Sequence, residues 1–204
     1  LLARVDSKVR VWDTVTKQLL ADIPIEKPSF HATFDSSGKY FATIIDDEIH
    51  IWKTDSFGNS LPSKFTIRAG KEVENIAFAP NSKTIAADLG LTLAVWDLEP
   101  AEPKLLWQVS EDQEVGDILF SASSARLISL EKTRLRIWET NTGRLVDQLR
   151  MPSDKHSNFD QAIYLTDDVL VTINQNGFKH FDLDVKPWSS RACGIVGRQL
   201  TQKE

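Results

Sequence analysis

The feature that most constrains the fold of this chain is a tryptophan that recurs about every 42 residues. It stands at Trp12, Trp52, Trp96 and Trp138, spaced by 40, 44 and 42 residues, and Phe181 follows 43 residues later. Each aromatic residue closes a short run rich in β-branched and aromatic residues, such as the Val-Arg-Val-Trp of residues 9–12. Such runs favour β-strand. The chain is therefore expected to consist of repeated β units.

A second signal keeps a fixed distance from the first. Phe34, Phe78 and Phe120 each lie 18 residues before a tryptophan, and turn-forming residues follow them, as in the Asp-Ser-Ser-Gly-Lys of residues 35–39. Hairpin turns such as the Asn-Gln-Asn-Gly of residues 174–177 separate the second and third strands. Four short strands per period indicate the blade of a β-propeller, in which the tryptophans are core and register residues.

Counting these signals predicts three whole blades and two partial ones. Residues 28–67, 73–109 and 115–150 supply the whole blades; residues 1–25 lack an innermost strand, and residues 159–182 lack an outer strand. The predicted fold class is all-β, a partial β-propeller of four-stranded antiparallel blades with a short C-terminal helical tail. Propellers close with 4–8 blades, so we expect the chain to be the C-terminal part of a larger ring.

The last residues break the period, which predicts two regions: propeller blades over residues 1–183 and a helical tail over residues 184–204. Pro187-Trp188-Ser189 is typical of a helix entry. Apolar residues then recur at helical spacing, at Ala192, Cys193, Val196 and Leu200. Cys193 has no histidine or acid fixed near it, so a buried structural thiol is favoured over a nucleophile.

The strand ends Val11-Trp12-Asp13 and Val95-Trp96-Asp97 resemble the signature of the Trp-Asp (WD) repeat family. Lys53 after Trp52 departs from that signature, and the usual Gly-His pair is absent, which is expected to weaken the family's His-Ser/Thr-Trp hydrogen-bond network. The tail from Trp188 to Glu204 is similar to a C-terminal signature of bacterial multidomain WD-repeat signalling proteins. That resemblance implies an upstream effector, such as a TIR, caspase-like or STAND-type NTPase domain.

Composition and missing motifs exclude several classes of function. The net charge is −5 and no basic run occurs, which argues against nucleic-acid binding. No apolar stretch approaches the roughly 18 residues of a membrane span, and a single cysteine fits a reducing, cytoplasmic location. The four histidines have no metal-ligand spacing, and no phosphate loop or nucleophile elbow is present. The sequence therefore predicts no catalytic residue, cofactor or metal, and no enzyme.

One face of the propeller is expected to carry the turns that enter each innermost strand and those between the second and third strands. These turns are rich in acidic residues, either as a solvated surface or as a field that steers a basic partner. The candidate partner-binding residues there are Phe30, His31, Asp47, Glu72, Glu74, Asp88, Glu111, Asp112, Glu114 and Phe159.

The predicted function is a protein-interaction or ligand-sensing propeller of a larger bacterial signalling protein that regulates an upstream effector domain. Its partners would be another protein or the upstream domains of the same polypeptide. The alternative is a non-switching scaffold subunit of a stable protein complex. Fold alone does not decide between these, because function depends on the site that a fold carries.

Overall fold

The computed structural model describes residues 2–5, 8–24, 31–45, 47–57, 64–131, 133–150, 161–166, 169–174 and 177–182. Within these ranges the chain forms antiparallel strands and one short 3-10 turn, Thr54–Ser56. By sheet, the strands are β1 (Leu2–Val5), β2 (Lys8–Trp12) and β3 (Leu19–Pro24); β4 (Ala32–Phe34), β5 (Tyr40–Ile45), β6 (Glu48–Lys53) and β7 (Lys64–Arg68); β8 (Asn75–Phe78), β9 (Thr84–Asp88), β10 (Thr92–Asp97) and β11 (Lys104–Ser110); β12 (Val115–Phe120), β13 (Arg126–Glu131), β14 (Arg134–Glu139) and β15 (Leu145–Arg150); and β16 (Gln161–Thr166), β17 (Val169–Asn174) and β18 (Gly177–Asp182).

Each sheet follows the chain, with every strand paired to the next in antiparallel register. The three middle sheets have four strands each, and the first and last have three in the residues that the structure describes. Among the described residues, this pattern of three four-stranded and two three-stranded sheets agrees with the predicted three whole and two partial blades. The predicted helical tail, with Cys193 and the boundary at residue 184, lies outside the described residues.

The strands β4, β8, β12 and β16 lie beside one another and form the inner wall of the propeller, whereas β7, β11 and β15 are outer edges. The turns before β8 and β12 lie at the same end of the blades as the β9–β10 hairpin turn. We call this end the top face. The turns at residues 35–39, 79–83 and 121–125 lie at the opposite end, the bottom face.

The bottom-face turns connect successive blades. Ser36 Oγ donates a hydrogen bond to the carbonyl of Pro80 at 2.6 Å, and the amide of Asn81 donates to Ser124 Oγ at 2.9 Å. Each turn also contains a residue at positive φ: 71° at Gly38, 59° at Ser82 and 66° at Ser124. The three turns therefore share one backbone shape, although glycine is present in only one of them.

The core lies between blades because strand residues alternate faces. On β10, Leu93 and Val95 pack toward the fourth blade, whereas Ala94 and Trp96 pack toward the second. Trp52, Trp96 and Trp138 are 2%, 7% and 4% exposed, which confirms their predicted core role. The regular tryptophan period thus reflects one buried position that faces the preceding blade in the second, third and fourth blades, whereas Trp12 of the first is only partly buried.

Candidate protein-binding face

The predicted partner-binding residues that the structure describes form three groups on the top face. His31, Glu74, Asp88 and Glu114 surround the top of the inner wall, and we call this region, together with Asn75 and Asp117, the inner mouth. Asp47 and Glu72 line a pocket further out. Glu111 and Asp112 belong to an ion network in the fourth blade. Phe30 and Phe159 lie outside the described residues.

A row of polar residues crosses the inner wall at the inner mouth. His31, Asn75 and Asp117 each stand three residues before the repeated phenylalanine, at the same position of consecutive innermost strands or their entry turns. Asn75 Nδ2 donates a hydrogen bond to Asp117 Oδ1 at 3.2 Å, which joins the third and fourth blades. His31 lies near enough to act electrostatically on Asp117, and burial raises the pKa of Asp117. The repeat spacing could have identified Asn75 and Asp117, which the sequence analysis missed.

Asp88 lies at the end of β9, directly opposite Asn75, and is 1% exposed. Its carboxylate accepts a hydrogen bond from the amide of Gly90 at 2.9 Å. Burial raises the pKa of Asp88 to about 7, and the negative charges of Glu74 and Glu114 add to that effect. Glu74 and Glu114 are exposed on the turns before β8 and β12. The inner mouth therefore brings carboxyl groups from neighbouring turns together, so a cation is the complementary ligand.

The second group lines a pocket of about 370 Å³, the outer pocket, formed by Asp47, Glu48, Arg68, Gly70, Lys71 and Glu72. Both of its cationic side chains have partners: Arg68 Nε donates to Glu48 Oε1 within the pocket at 2.8 Å, and Lys71 Nζ donates to Thr92 Oγ1 on β10 at 2.7 Å. Asp47 and Glu72 are exposed, and neither forms an ion pair among the described residues. The pocket therefore offers two carboxylates to a ligand.

The third group is an ion network on the top half of the fourth blade. The side chains of Glu111 and Glu131 are fully buried, and Arg136 lies against both of them. Arg134 Nε donates to Glu131 Oε2 at 2.8 Å, and its Nη1 donates to Asp112 Oδ2 at 3.2 Å. Burial raises the pKa of Glu131. Glu111 therefore has no surface to offer a partner, whereas Asp112 is exposed and could contact one.

Carboxylate oxygens of Glu111, Asp112 and Glu131 lie within 4.8 Å of one another, an arrangement that could suit a metal ion. The guanidinium groups of Arg134 and Arg136 already bind these oxygens. These two guanidinium groups supply positive charge beside the three carboxylates.

The fourth blade also keeps a hydrogen-bond chain behind its tryptophan. Trp138 Nε1 donates a hydrogen bond to Ser129 Oγ at 2.9 Å, and Ser129 Oγ in turn donates one to Glu111 Oε1 at 3.4 Å. Ser129 stands nine residues before the tryptophan, where the third blade has Ala87. The two blades therefore differ in how much of the His-Ser/Thr-Trp network they keep without the Gly-His pair. In the fourth blade a glutamate takes the place of the histidine, whereas the third blade has an alanine where the network needs a hydroxyl group.

Antiparallel four-stranded sheets that share an inner wall define a β-propeller. Among solved structures, the chain is similar to Chaetomium thermophilum Sqt1, in a crystal structure with the N-terminus of the ribosomal protein L10. The TM-score is 0.70 at 17% identity, over 88% of this chain and 55% of that one. Sqt1 is a WD40 β-propeller protein, so the likeness confirms the predicted fold.

The relatives by sequence are proteins named TBC1 domain family member 31. The human protein is 25% identical over 195 residues, and the Bos taurus and Mus musculus proteins are 23% and 24% identical; each alignment covers 89% of this chain. The chain spans about a fifth of these relatives, 18%, 18% and 19% of their lengths. No protein-family model matches the chain.

In the part of the chain that the structure describes, no helix is long and apolar enough to cross a membrane.

Proposed function

We propose that this propeller is a protein-binding module whose inner mouth binds a basic segment of a partner. The observation that carries the proposal is the grouping of Glu74, Asp88 and Glu114 around the top of the inner wall, with Asp117 next to them. The similar propeller Sqt1 binds a protein segment, the N-terminus of the ribosomal protein L10, and this supports the same class of ligand here.

A basic segment fits this site for an electrostatic reason. Three carboxyl groups that repel one another are stabilised when a lysine or arginine approaches, and the buried Asp88 then favours its charged form. The exposed Glu74 and Glu114 would act first, because exposed charges of one sign steer an oppositely charged partner during encounter. Binding should therefore weaken as salt increases.

We further propose that this module belongs to a larger bacterial signalling protein, in which ligand binding regulates an upstream effector domain. The similarity of the tail to signatures of such proteins supports it. Regulation requires that the ligand bind two states of the protein with different affinities. The alternative is a scaffold that holds its partner in a stable complex without switching.

Measuring effector activity of the complete parent protein with and without ligand distinguishes the signalling role from the scaffold role, since a scaffold gives no change. A cytoplasmic location stays a prediction.

Charge reversal at the inner mouth tests the binding proposal. We expect Glu74→Lys with Glu114→Lys to weaken binding of a labelled tetralysine peptide at least tenfold at 50 mM salt, measured by fluorescence anisotropy. The matched control is Asp55→Lys with Glu102→Lys, which changes the net charge equally but lies on exposed turns at the bottom face. Equal losses in both variants would mean that only net charge matters, and no loss in either would contradict the proposal.

A further inference from the structure

A cavity of about 470 Å³ opens on the bottom face between the second and third blades, and we call it the bottom pocket. Its lining includes Lys39 and Tyr40 of the second blade and Lys83 and Glu99 of the third. The two lysines each lie five residues after the repeated phenylalanine, on consecutive turns, whereas the fourth blade has Ala125 at that position. Ligand pockets commonly have volumes of about 300–1,000 Å³, so the bottom pocket is large enough for a small ligand or a partner's side chain.

Tyr40 supplies a polar group that has no partner in the part of the chain that the structure describes. Its side chain is 7% exposed, and its ring stacks on that of Phe78 at a centroid distance of 6.4 Å. The backbone amide of Tyr40 is hydrogen-bonded, but its phenolic hydroxyl forms no hydrogen bond to a described residue. The hydroxyl is not sealed inside the core, so it opens into the pocket that the residue lines. Because the hydroxyl of a buried tyrosine normally finds a partner, a ligand atom in the bottom pocket would complete this side chain.

The charged residues of the bottom pocket leave one positive charge without a counter-ion. Lys83 Nζ lies 2.7 Å from Glu99 Oε1, so these two charges balance each other. Lys39 forms no ion pair with a described residue, and its ammonium group lies 5.1 Å from the centroid of the Tyr40 ring. The unbalanced ammonium group and the unpartnered hydroxyl therefore lie on adjacent residues of one pocket.

The carboxylate of Asp35, which is buried in the same turn, does not neutralise the pocket. It accepts hydrogen bonds from the amide of Tyr40 at 2.6 Å and from the hydroxyl of Ser37, and it does not line the cavity. Ser82 Oγ, from the third blade, donates to Ser37 Oγ at 3.2 Å. These hydroxyl groups already bind within the turns, which leaves Lys39 and Tyr40 available to a ligand.

We propose that the bottom pocket binds a carboxylate group, with one oxygen accepting a hydrogen bond from the Tyr40 hydroxyl and the other paired with the Lys39 ammonium group. Two donors from adjacent residues suit a ligand that has two acceptor oxygens. One negative charge balances the excess positive charge of the lining, whereas a phosphate dianion would place an extra negative charge near Glu99. The bottom pocket and the inner mouth lie at opposite ends of the blades, so this inference does not depend on the proposed function.

A matched pair of capped peptides tests the carboxylate. Each has a central residue between two glycines, glutamate in one peptide and glutamine in the other, so that they differ only in the charged group. We expect the glutamate peptide to shift the backbone amide signals of Asn81 and Lys83 in proton–nitrogen NMR spectra of the full chain. It should bind at least fivefold more tightly than the glutamine peptide at 50 mM salt. Equal binding of the two peptides would overturn the proposal.

Acetate and inorganic phosphate identify the source of the carboxylate and test the charge argument. Acetate that binds within about twofold of the glutamate peptide would assign the pocket to a free organic acid, since the rest of the peptide then adds little. Weaker binding of acetate would assign it to an acidic side chain of a protein segment. Phosphate that binds more tightly than the glutamate peptide at pH 8, where it is a dianion, would overturn the assignment of a carboxylate.

Two variants locate the binding. Tyr40→Phe removes only the unpartnered hydroxyl, so the midpoint of thermal unfolding should stay within about 1 °C while affinity for the glutamate peptide falls about three- to tenfold. Lys39→Gln should weaken binding at least fivefold. The matched control Lys104→Gln, which removes the same charge from the exposed outer strand β11, should keep the wild-type affinity within about twofold. Unchanged affinity in Tyr40→Phe, or equal losses in the two lysine variants, would show that the carboxylate is not held at this pocket.

Discussion

The third and fourth blades share one strand pattern but bury different chemistry. Two residues before the tryptophan, the third blade has Ala94 and the fourth has Arg136; nine residues before it, they have Ala87 and Ser129. The third blade therefore presents an apolar face to its predecessor, whereas the fourth presents an ion network above Trp138. The same strand pattern can thus carry an apolar or a charged residue beside the repeated tryptophan, and the two positions should respond differently to substitution.

Removing the tryptophan of the apolar interface should have the largest effect. Trp96→Ala is expected to lower the free energy of unfolding by about 3–5 kcal/mol, because a large buried side chain leaves a cavity between two blades. Urea denaturation followed by circular dichroism measures this. A loss below about 1 kcal/mol would show that Trp96 is not packed as described. The third blade would then not have the apolar packing that distinguishes it from the fourth.

Breaking the ion network should lower the free energy of unfolding nearly as much. Unlike the loss at an apolar contact, this loss should be partly restored by a second substitution. Arg136→Met leaves the buried carboxylate of Glu111 without its guanidinium, which we expect to cost about 2–4 kcal/mol. Adding Glu111→Gln removes the unpaired charge and should recover at least half of the loss. Urea denaturation of the single and double variants gives the coupling. Strictly additive losses would show that the two residues do not form a pair.

The contact between these blades also depends on a glycine. Trp107 of the third blade donates a hydrogen bond from Nε1 to the carbonyl of Thr140 at 2.6 Å, and a Cβ at Gly143 would lie 2.6 Å from its indole ring. Gly143 and Gly38 both have positive φ, but a Cβ at Gly38 meets no atom within 4 Å. Gly143→Ala should therefore lower the melting temperature more than Gly38→Ala, with a cost of about 2 kcal/mol against about 1 kcal/mol. Similar costs would mean that Trp107 moves aside freely.

The sequence predicted the strand scaffold because hydrophobic period and turn chemistry act locally. Trp52, Trp96 and Trp138 repeat because each fills one buried position, and the blade count follows from them. The site was predicted less well. The burial of Glu111 depends on Arg136, which lies 25 residues away in the chain, and no local pattern indicates that pairing. Asn75 and Asp117 were missed for a different reason: their repeat position was visible, but their hydrogen bond depends on how two blades pack.

The smallest expected effect concerns Asp88, a buried carboxyl of the third blade that lacks the arginine partners of the fourth. Its pKa of about 7 in the folded chain lies above the ordinary aspartate value of 3.8, which applies to the unfolded chain, so the folded state binds the proton more tightly. Its contribution to stability is therefore complete below pH 4 and is lost as the pH rises through 7.

Replacing Asp88 removes this pH dependence without removing the polar side chain. Asp88→Asn should gain stability relative to the wild type between pH 4 and pH 8, reaching about 1–2 kcal/mol at pH 8, because an amide has no charge to desolvate. Urea denaturation at several pH values measures the difference. Glu74→Gln should move the midpoint of the wild-type profile to lower pH, since the charge of Glu74 helps to raise the pKa of Asp88. A difference that stays constant with pH would show that Asp88 is ionised throughout, and that the third blade, like the fourth, stabilises its buried carboxylate.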